Sequence, residues 1–349
     1  MRVGIVNDTR SVVELLKKLV QDSRHRVAWV AYDGKEALEL CAKDKPDVIL
    51  MDLIMPVMNG VETTKAIMEK NPTAILVVTS SVSLNFSMAC EAMSLGAIDA
   101  VEVPSLAGVN SKMLRDDFIT KIEKVEKISS RLDAAKLHLP ESLSSKSIAI
   151  SGNSPTTEKK LIAAIGSSTG GPAILGQILS QLPAELKATV LIAQHIGKTF
   201  MPDLVSWLKR SCAMPIRIIK EGEKAISGTV MVTEGDSHLL INRDGSFHYE
   251  HDVTNHSYKP SIDLLFESLA LCNRFHGVAT ILTGIGKDGS QGLLSLRKKG
   301  WFTIAQSPDT CVAKGMPQSA IDLGATQAVG NGLEIGELIR VKIQSFKDS

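Results

Sequence analysis

Apolar and polar positions alternate in short blocks along the whole chain. Between residues 2 and 104, apolar runs at 3–6, 27–31, 48–51, 75–78 and 99–103 have strand length and predict five strands. Stretches such as 12–20 and 35–43, between those runs, carry helical amphipathic spacing. Strands alternating with helices predict a parallel sheet with helices on both faces. From about residue 112 to 137, Leu114, Phe118, Ile122, Val125, Ile128 and Leu132 recur at steps of three or four, which predicts one long helix. The charges of its KIEKVEK segment read as the solvated face. Residues 140–157 are serine-rich, contain Gly152 and Pro155, and lack a sustained period, so they read as a linker.

A second alternating block begins near Glu158. Its predicted strands are 161–165, 189–194, 229–233 and 278–283, with 302–305 as a shorter one. A helix is predicted over 173–182. Asn242-Arg243-Asp244-Gly245, inside residues 238–249, predicts a hairpin turn between short strands. Both halves are therefore α/β, the second a doubly wound domain with a mostly parallel sheet.

With 349 residues the chain is long enough for two domains, each with its own core. A net charge of +1 gives no case for a nucleic-acid partner. The five cysteines are scattered and contain no Cys-x-x-Cys pair, which predicts free thiols in a reducing cytoplasm. No run of eighteen apolar residues and no signal-peptide pattern is present, so no membrane insertion is expected.

In open α/β sheets, chemistry gathers at the carboxyl ends of the strands. In the first half those ends carry Asn7-Asp8, Asp52, Thr79 and Val103-Pro104. Carboxylates grouped there can hold Mg²⁺ through oxygen ligands. Asp52 can then attack phosphorus as a carboxylate nucleophile, with Thr79 bonding a phosphoryl oxygen. The alternative is that Asp52 is an ordinary loop carboxylate.

In the second half LIAAIGSSTGG places Ser168 in the frame Gly166-Ser167-Ser168-Thr169-Gly170, a G-x-S-x-G between an apolar run and an apolar helix. This frame suits a nucleophile; a phosphate cradle or a structural turn are the other readings. His195 follows the run TVLIAQ and is the candidate base, with a surface or core histidine as the alternative. Asp288 is the only acid in the glycine-rich GIGKDGSQG loop and is the candidate orienting carboxylate; the alternative is a cap for a following helix at 293–298. Backbone N–H groups near Ser168 and Ile285 are candidates for an oxyanion hole. The GSSTGG segment matches neither common nucleotide-binding glycine motif, which weighs against nucleotide binding. His248, His251 and His256 lack a metal-site frame and read as surface histidines.

Residues 1 to about 120 resemble the receiver domain of two-component response regulators, through Asp52 in M-D-x-x-M-P-x-M-x-G, Thr79 after a strand and Pro104 after the last strand. The resemblance implies a flavodoxin-like five-stranded sheet, phosphorylation of Asp52 by a histidine kinase partner, and Mg²⁺ held by Asp8, Asp52 and the carbonyl of Ile54. Two positions depart from the pattern. One acid of the usual pair is Asn7, and the lysine expected before Pro104 is Val103. An amide binds a hard cation more weakly than a carboxylate, and valine cannot neutralise phosphate, so weaker metal binding or an altered response is expected.

Residues 158 to about 345 resemble the catalytic domain of chemotaxis protein-glutamate methylesterases, the CheB family. The likeness rests on IGSSTGGP, AQH, PSID, LTGIGKDGSQG and AKGMP, in that order. It implies a cytoplasmic hydrolase of two-component signalling, with a receiver over 1–120, a helical and Ser-rich linker over 121–157 and a methylesterase over 158–349. The opening IVND and the absent lysine resemble its WspF-like branch. By the same likeness Ser168 is nucleophile, His195 base and Asp288 orienter, with no cofactor for the ester reaction. The implied substrate is a methyl-accepting chemoreceptor-like protein, demethylated at glutamate esters with release of methanol and deamidated at glutamines. The alternative function is a phosphorylation-controlled interaction module with an inactive second domain.

Overall fold

The computed structural model describes residues 1–81, 84–104, 118–119, 121–123, 125, 159–251 and 258–347. The first five strands are β1 (Arg2–Val6), β2 (Arg26–Ala31), β3 (Val48–Met51), β4 (Ala74–Thr79) and β5 (Asp99–Glu102). They form one parallel sheet in the order β2-β1-β3-β4-β5. Among the described residues the helices α1 (Arg10–Gln21), α2 (Gly34–Lys43), α3 (Gly60–Lys70) and α4 (Phe86–Ser94) accompany it, and residues 118–119, 121–123 and 125 are also helical. In α1 the buried residues Val13, Leu16, Leu19 and Val20 make one apolar stripe. The start of α3 is fixed by a capping box between Asn59 and Glu62.

Among the described residues the main sheet of the second unit holds seven strands, all in parallel pairs: β6 (Lys160–Ser167), β7 (Thr189–Gln194), β8 (Ile216–Ile218), β9 (Thr229–Val232), β12 (Phe275–Ile281), β13 (Phe302–Gln306) and β14 (Ala328–Gly330). Their order is β14-β13-β12-β6-β7-β9-β8. The hairpin turn at Asn242–Gly245 joins β10 (His238–Ile241) to antiparallel β11 (Phe247–Glu250). The helices are α5 (Gly171–Ser180), α6 (Met201–Leu208), α7 (Ile262–Leu271), α8 (Ser290–Lys298), α9 (Gly315–Asp322) and α10 (Gly332–Lys347).

The apolar run of β6 is explained by burial on both faces. Ala163 and Ile165 enter one core, and Ile162 and Ala164 enter the other. The first of these cores continues into the receiver-like unit, where α4 packs against α5 and α6. Arg210 also donates to the hydroxyl of Ser87 at 2.6 Å across this junction.

The predicted strand at 278–283 is displaced: β12 runs Phe275–Ile281. His276 and Gly277 interrupt the apolar run without interrupting the ladder. Thr283 lies beyond the strand, where its hydroxyl donates to the carbonyls of Thr169 and Ala313. The predicted helix at 112–137 lies mostly outside the described residues; Phe118, Ile122 and Val125 within it are buried. The proposed linker at 140–157 and His256 also lie outside them. Among the described residues no helix is long and apolar enough to cross a membrane.

Candidate active site

Ser168, His195 and Asp288 follow three neighbouring strands, β6, β7 and β12, at their carboxyl ends. The chain runs from β6 to β7 on one side and later returns to β12 on the other, so the site lies where the winding direction reverses. Ser167 pairs with Gln194 in the β6–β7 register, which puts Ser168 and His195 side by side one step beyond. The His195 N–H donates to the Ser167 carbonyl at 2.9 Å.

The serine turn has little spare room. Gly170 takes φ +76° at the entry to α5, a left-handed conformation that favours glycine. A Cβ on Gly284 would stand 2.0 Å from Met316 Sδ and 2.8 Å from Ser168 Cβ. Gln194, at the end of β7, ties the turn together. Its amide donates to the carbonyl of Ser168 at 2.9 Å and of His195 at 3.3 Å, while its oxygen accepts from the Ser167 hydroxyl.

His195 Nε2 lies 2.9 Å from Asp288 Oδ2, with both side chains buried. Asp288 also accepts from the N–H of Ile262 (2.8 Å), the N–H of Asp263 (3.0 Å) and the Ser261 hydroxyl (3.1 Å). It therefore sits at the N-terminus of α7, where free N–H groups favour an anion. Burial pushes its carboxyl up, but the bond to His195, that group's charge and the two N–H groups outweigh burial and hold it below the ordinary carboxylate range. The sequence alternative, a cap for the helix after Asp288, is not what is seen: Gly289 holds the N-cap position of α8.

His195 Nδ1 is buried and has no hydrogen-bond partner among the described residues, so it is not bonded to Ser168 in this structure. The Ser168 N–H is committed to the Thr283 carbonyl at 3.0 Å and is not available to an oxyanion. The N–H of Ile285 makes no hydrogen bond among the described residues. Tyr258 stacks on the His195 ring, with centroids 4.9 Å apart and planes within 1°. Gln194, Tyr258, Ser261 and Thr283 were given no role from sequence. Gln194, Ser261 and Thr283 are letters of AQH, PSID and LTGIGKDGSQG, which assign them no role, and Tyr258 lies outside every motif.

In the receiver-like unit, Asp52 lies between Asn7 and the loop after β3. The Asn7 amide donates to Asp52 Oδ2 at 2.8 Å, and the Leu53 N–H donates to Oδ1 at 2.7 Å. Burial pushes the Asp52 carboxyl up to about 6; the N–H groups of Leu53 and Ile54 oppose this and the nearby Asp8 charge adds to it. A Cβ on Gly60 would stand 2.0 Å from the Asp52 carbonyl, which explains the glycine of the M-x-G frame. Thr79 is buried, and its hydroxyl accepts from the Asn85 amide at 2.7 Å. The carboxylates of Asp8 and Asp52 fit a hard cation, with the Ile54 carbonyl as a third oxygen. Among the described residues no group of three His, Cys, Asp or Glu side chains suits a metal ion, so a cation here depends on that carbonyl and on water.

Two family models match the chain: CheB methylesterase over residues 163–339 and response regulator receiver domain over residues 3–107. The protein-glutamate methylesterase/protein-glutamine glutaminase 2 of Cupriavidus metallidurans is 38% identical over 330 residues, covering 94% of each chain. A protein of the same name, number 3, from Pseudomonas aeruginosa is 38% identical over 327 residues, covering 93% of this chain and 94% of that one. The crystal structure of the Thermotoga maritima CheB methylesterase catalytic domain is 30% identical with a TM-score of 0.50, covering 54% of this chain and all of that one.

Proposed function

The chain belongs to the CheB methylesterase family, and we propose that Ser168, His195 and Asp288 carry out its hydrolysis of glutamate methyl esters on chemoreceptor-like proteins. The observation that carries this reading is the buried Asp288–His195 hydrogen bond beside Ser168, with the second imidazole nitrogen left for a proton. Asp288 accepts the Nε2–H, which leaves Nδ1 as the basic nitrogen. Nδ1 takes the Ser168 proton as Oγ attacks the ester γ-carbonyl. The Ile285 N–H faces the developing oxyanion. Collapse of the tetrahedral species returns that proton to the departing methanol and leaves an acyl-serine. Water, deprotonated by the same nitrogen, then releases glutamate. A glutamine side chain follows the same course with ammonia as the leaving group, in keeping with the glutaminase activity in the relatives' names.

The receiver makes the enzyme responsive to phosphorylation. We assign it to residues 1–120, the linker to 121–157 and the catalytic domain to 158–349. Asp52 accepts the phosphoryl group from a histidine kinase, and Thr79 bonds one of its oxygens. Asp8, Asp52 and the Ile54 carbonyl would hold Mg²⁺, which would supply positive charge to offset that of the incoming phosphate. Asn7 in place of a carboxylate weakens that hold. Ala313, whose carbonyl accepts from the Gly284 N–H in the active-site loop, belongs to the same apolar cluster as the receiver core. Phosphorylation acts by favouring a packing in which this contact and the α4 contact are released.

Replacing Ser168 by alanine abolishes methanol release from methylated receptor; retained turnover rejects the assignment. An inactive interaction module is not favoured, because the acid–imidazole pair is intact and the relatives carry enzyme names.

A further inference from the structure

We propose that Tyr258 is a positioning residue for the base: its ring holds the imidazole of His195 in the plane that aims Nδ1 at Ser168. The inference rests on the assignment of His195 as base and deepens it.

A hydrogen bond restrains a ring along one direction only. The Nε2···Oδ2 contact with Asp288 fixes one edge of the imidazole but permits tilt about that axis. The other ring nitrogen, Nδ1, has no hydrogen-bond partner among the described residues to resist the tilt. Tyr258 supplies the missing restraint, since its ring lies 4.9 Å from the imidazole and within 1° of parallel. Parallel offset rings of this kind attract, and an aromatic face also favours a cation. The imidazolium formed when Ser168 attacks therefore gains from Tyr258 more than the neutral ring does, which is the condition for raising rate.

The phenol end of Tyr258 touches the other half of the machinery. A Cβ on Gly286 would stand 2.7 Å from the Tyr258 hydroxyl oxygen, and Gly286 has φ +89°. Glycine at 286 thus gives Tyr258 its seat beside the loop that carries Ile285 and Asp288. The aromatic ring, not the hydroxyl, faces His195, so phenylalanine preserves the restraint and an aliphatic residue removes it.

The test uses the full chain, tritiated methanol release from receptor-containing membranes, and the rate at which a fluorophosphonate labels Ser168. Tyr258→Leu should lower kcat and the labelling rate by about 10- to 100-fold with KM changed less than about two-fold. Tyr258→Phe should restore both to within about three-fold of the parent. In a His195→Ala background, Tyr258→Leu should produce no further slowing of labelling, because the residue acts through the imidazole. Equal losses in the Phe and Leu variants, or an undiminished Leu effect without His195, would overturn the proposal. Undiminished kcat in Tyr258→Leu, with Ser168→Ala inactive, would overturn it while leaving the esterase assignment intact. Turnover by Ser168→Ala would reject the assignment itself.

Discussion

His195 turns Nε2, and not Nδ1, toward Asp288, at 2.9 Å. This leaves Nδ1 as the nitrogen that can serve as base, and it makes the protonation state of Nε2 the controlling variable. Asp288→Asn can present an amide N–H to that nitrogen and so hold the ring in the unproductive tautomer. A fall in kcat of about 1,000- to 10,000-fold is expected, with KM little changed, in steady-state methanol release. The acid also contributes to stability. Its pKa is lowered on folding, so its contribution is present above the ordinary carboxylate range and is lost as pH falls through the lowered value. Melting curves of Asp288→Asn and the parent should therefore converge on acidification below that range.

Asp52 titrates in the opposite sense. Its carboxyl is raised to about 6, so the folded state binds a proton more tightly than the unfolded chain. Stability from this group is greatest below the ordinary carboxylate range and declines as pH rises to about 6. Above that, Asp52 is a net burden on the fold. Asp52→Asn should stabilise the apo protein by about 1–2 kcal/mol near neutral pH, after discounting for partial exposure, and by much less near pH 4. Chemical denaturation at the two pH values measures the difference.

Gln194 fills three hydrogen-bonding demands at the end of β7. Gln194→Glu keeps the acceptor for Ser167 but sets an oxygen against the carbonyls of Ser168 and His195. It should reduce kcat by about ten-fold and stability by about 1–3 kcal/mol, read from turnover and from denaturant midpoints. A variant with full activity and the parent midpoint would show that the serine turn is held by other contacts.

Arg210 and Ser87 join the catalytic unit to the receiver at an exposed position. Arg210→Ala should weaken the resting packing by a modest amount and raise the rate of the unphosphorylated chain by about two- to five-fold. The rate after phosphorylation should remain at the parent value. Parallel assays with and without a small-molecule phosphodonor distinguish the two.

Much of this was legible in the amino-acid order because the site is built at strand ends. The buried runs before Ser168 and His195 announce β6 and β7, and the glycine-rich loop announces Asp288. The frame around Asp52 was equally plain. The strands β8 and β14, three residues each, carry too few positions for a period to register. Neither the strand order nor which imidazole nitrogen meets the acid has any local signature. Tyr258 and Gln194 act through contacts with residues distant in sequence, so their letters alone name no role. The Ser168 N–H, a natural candidate for an oxyanion, is withdrawn by a bond to Thr283 that only the tertiary structure reveals.

Phe86, Ala89 and Cys90 of α4 share one apolar cluster with Leu175, Ile178 and Leu204 of the catalytic unit. Activation that separates these surfaces must wet them. The resting enzyme is then held shut by a force that weakens on cooling, so its leak of activity, relative to the phosphorylated rate, should grow toward low temperature. The opened form carries a freshly hydrated oily strip, visible as an increase in heat capacity and as uptake of a fluorescent hydrophobic dye.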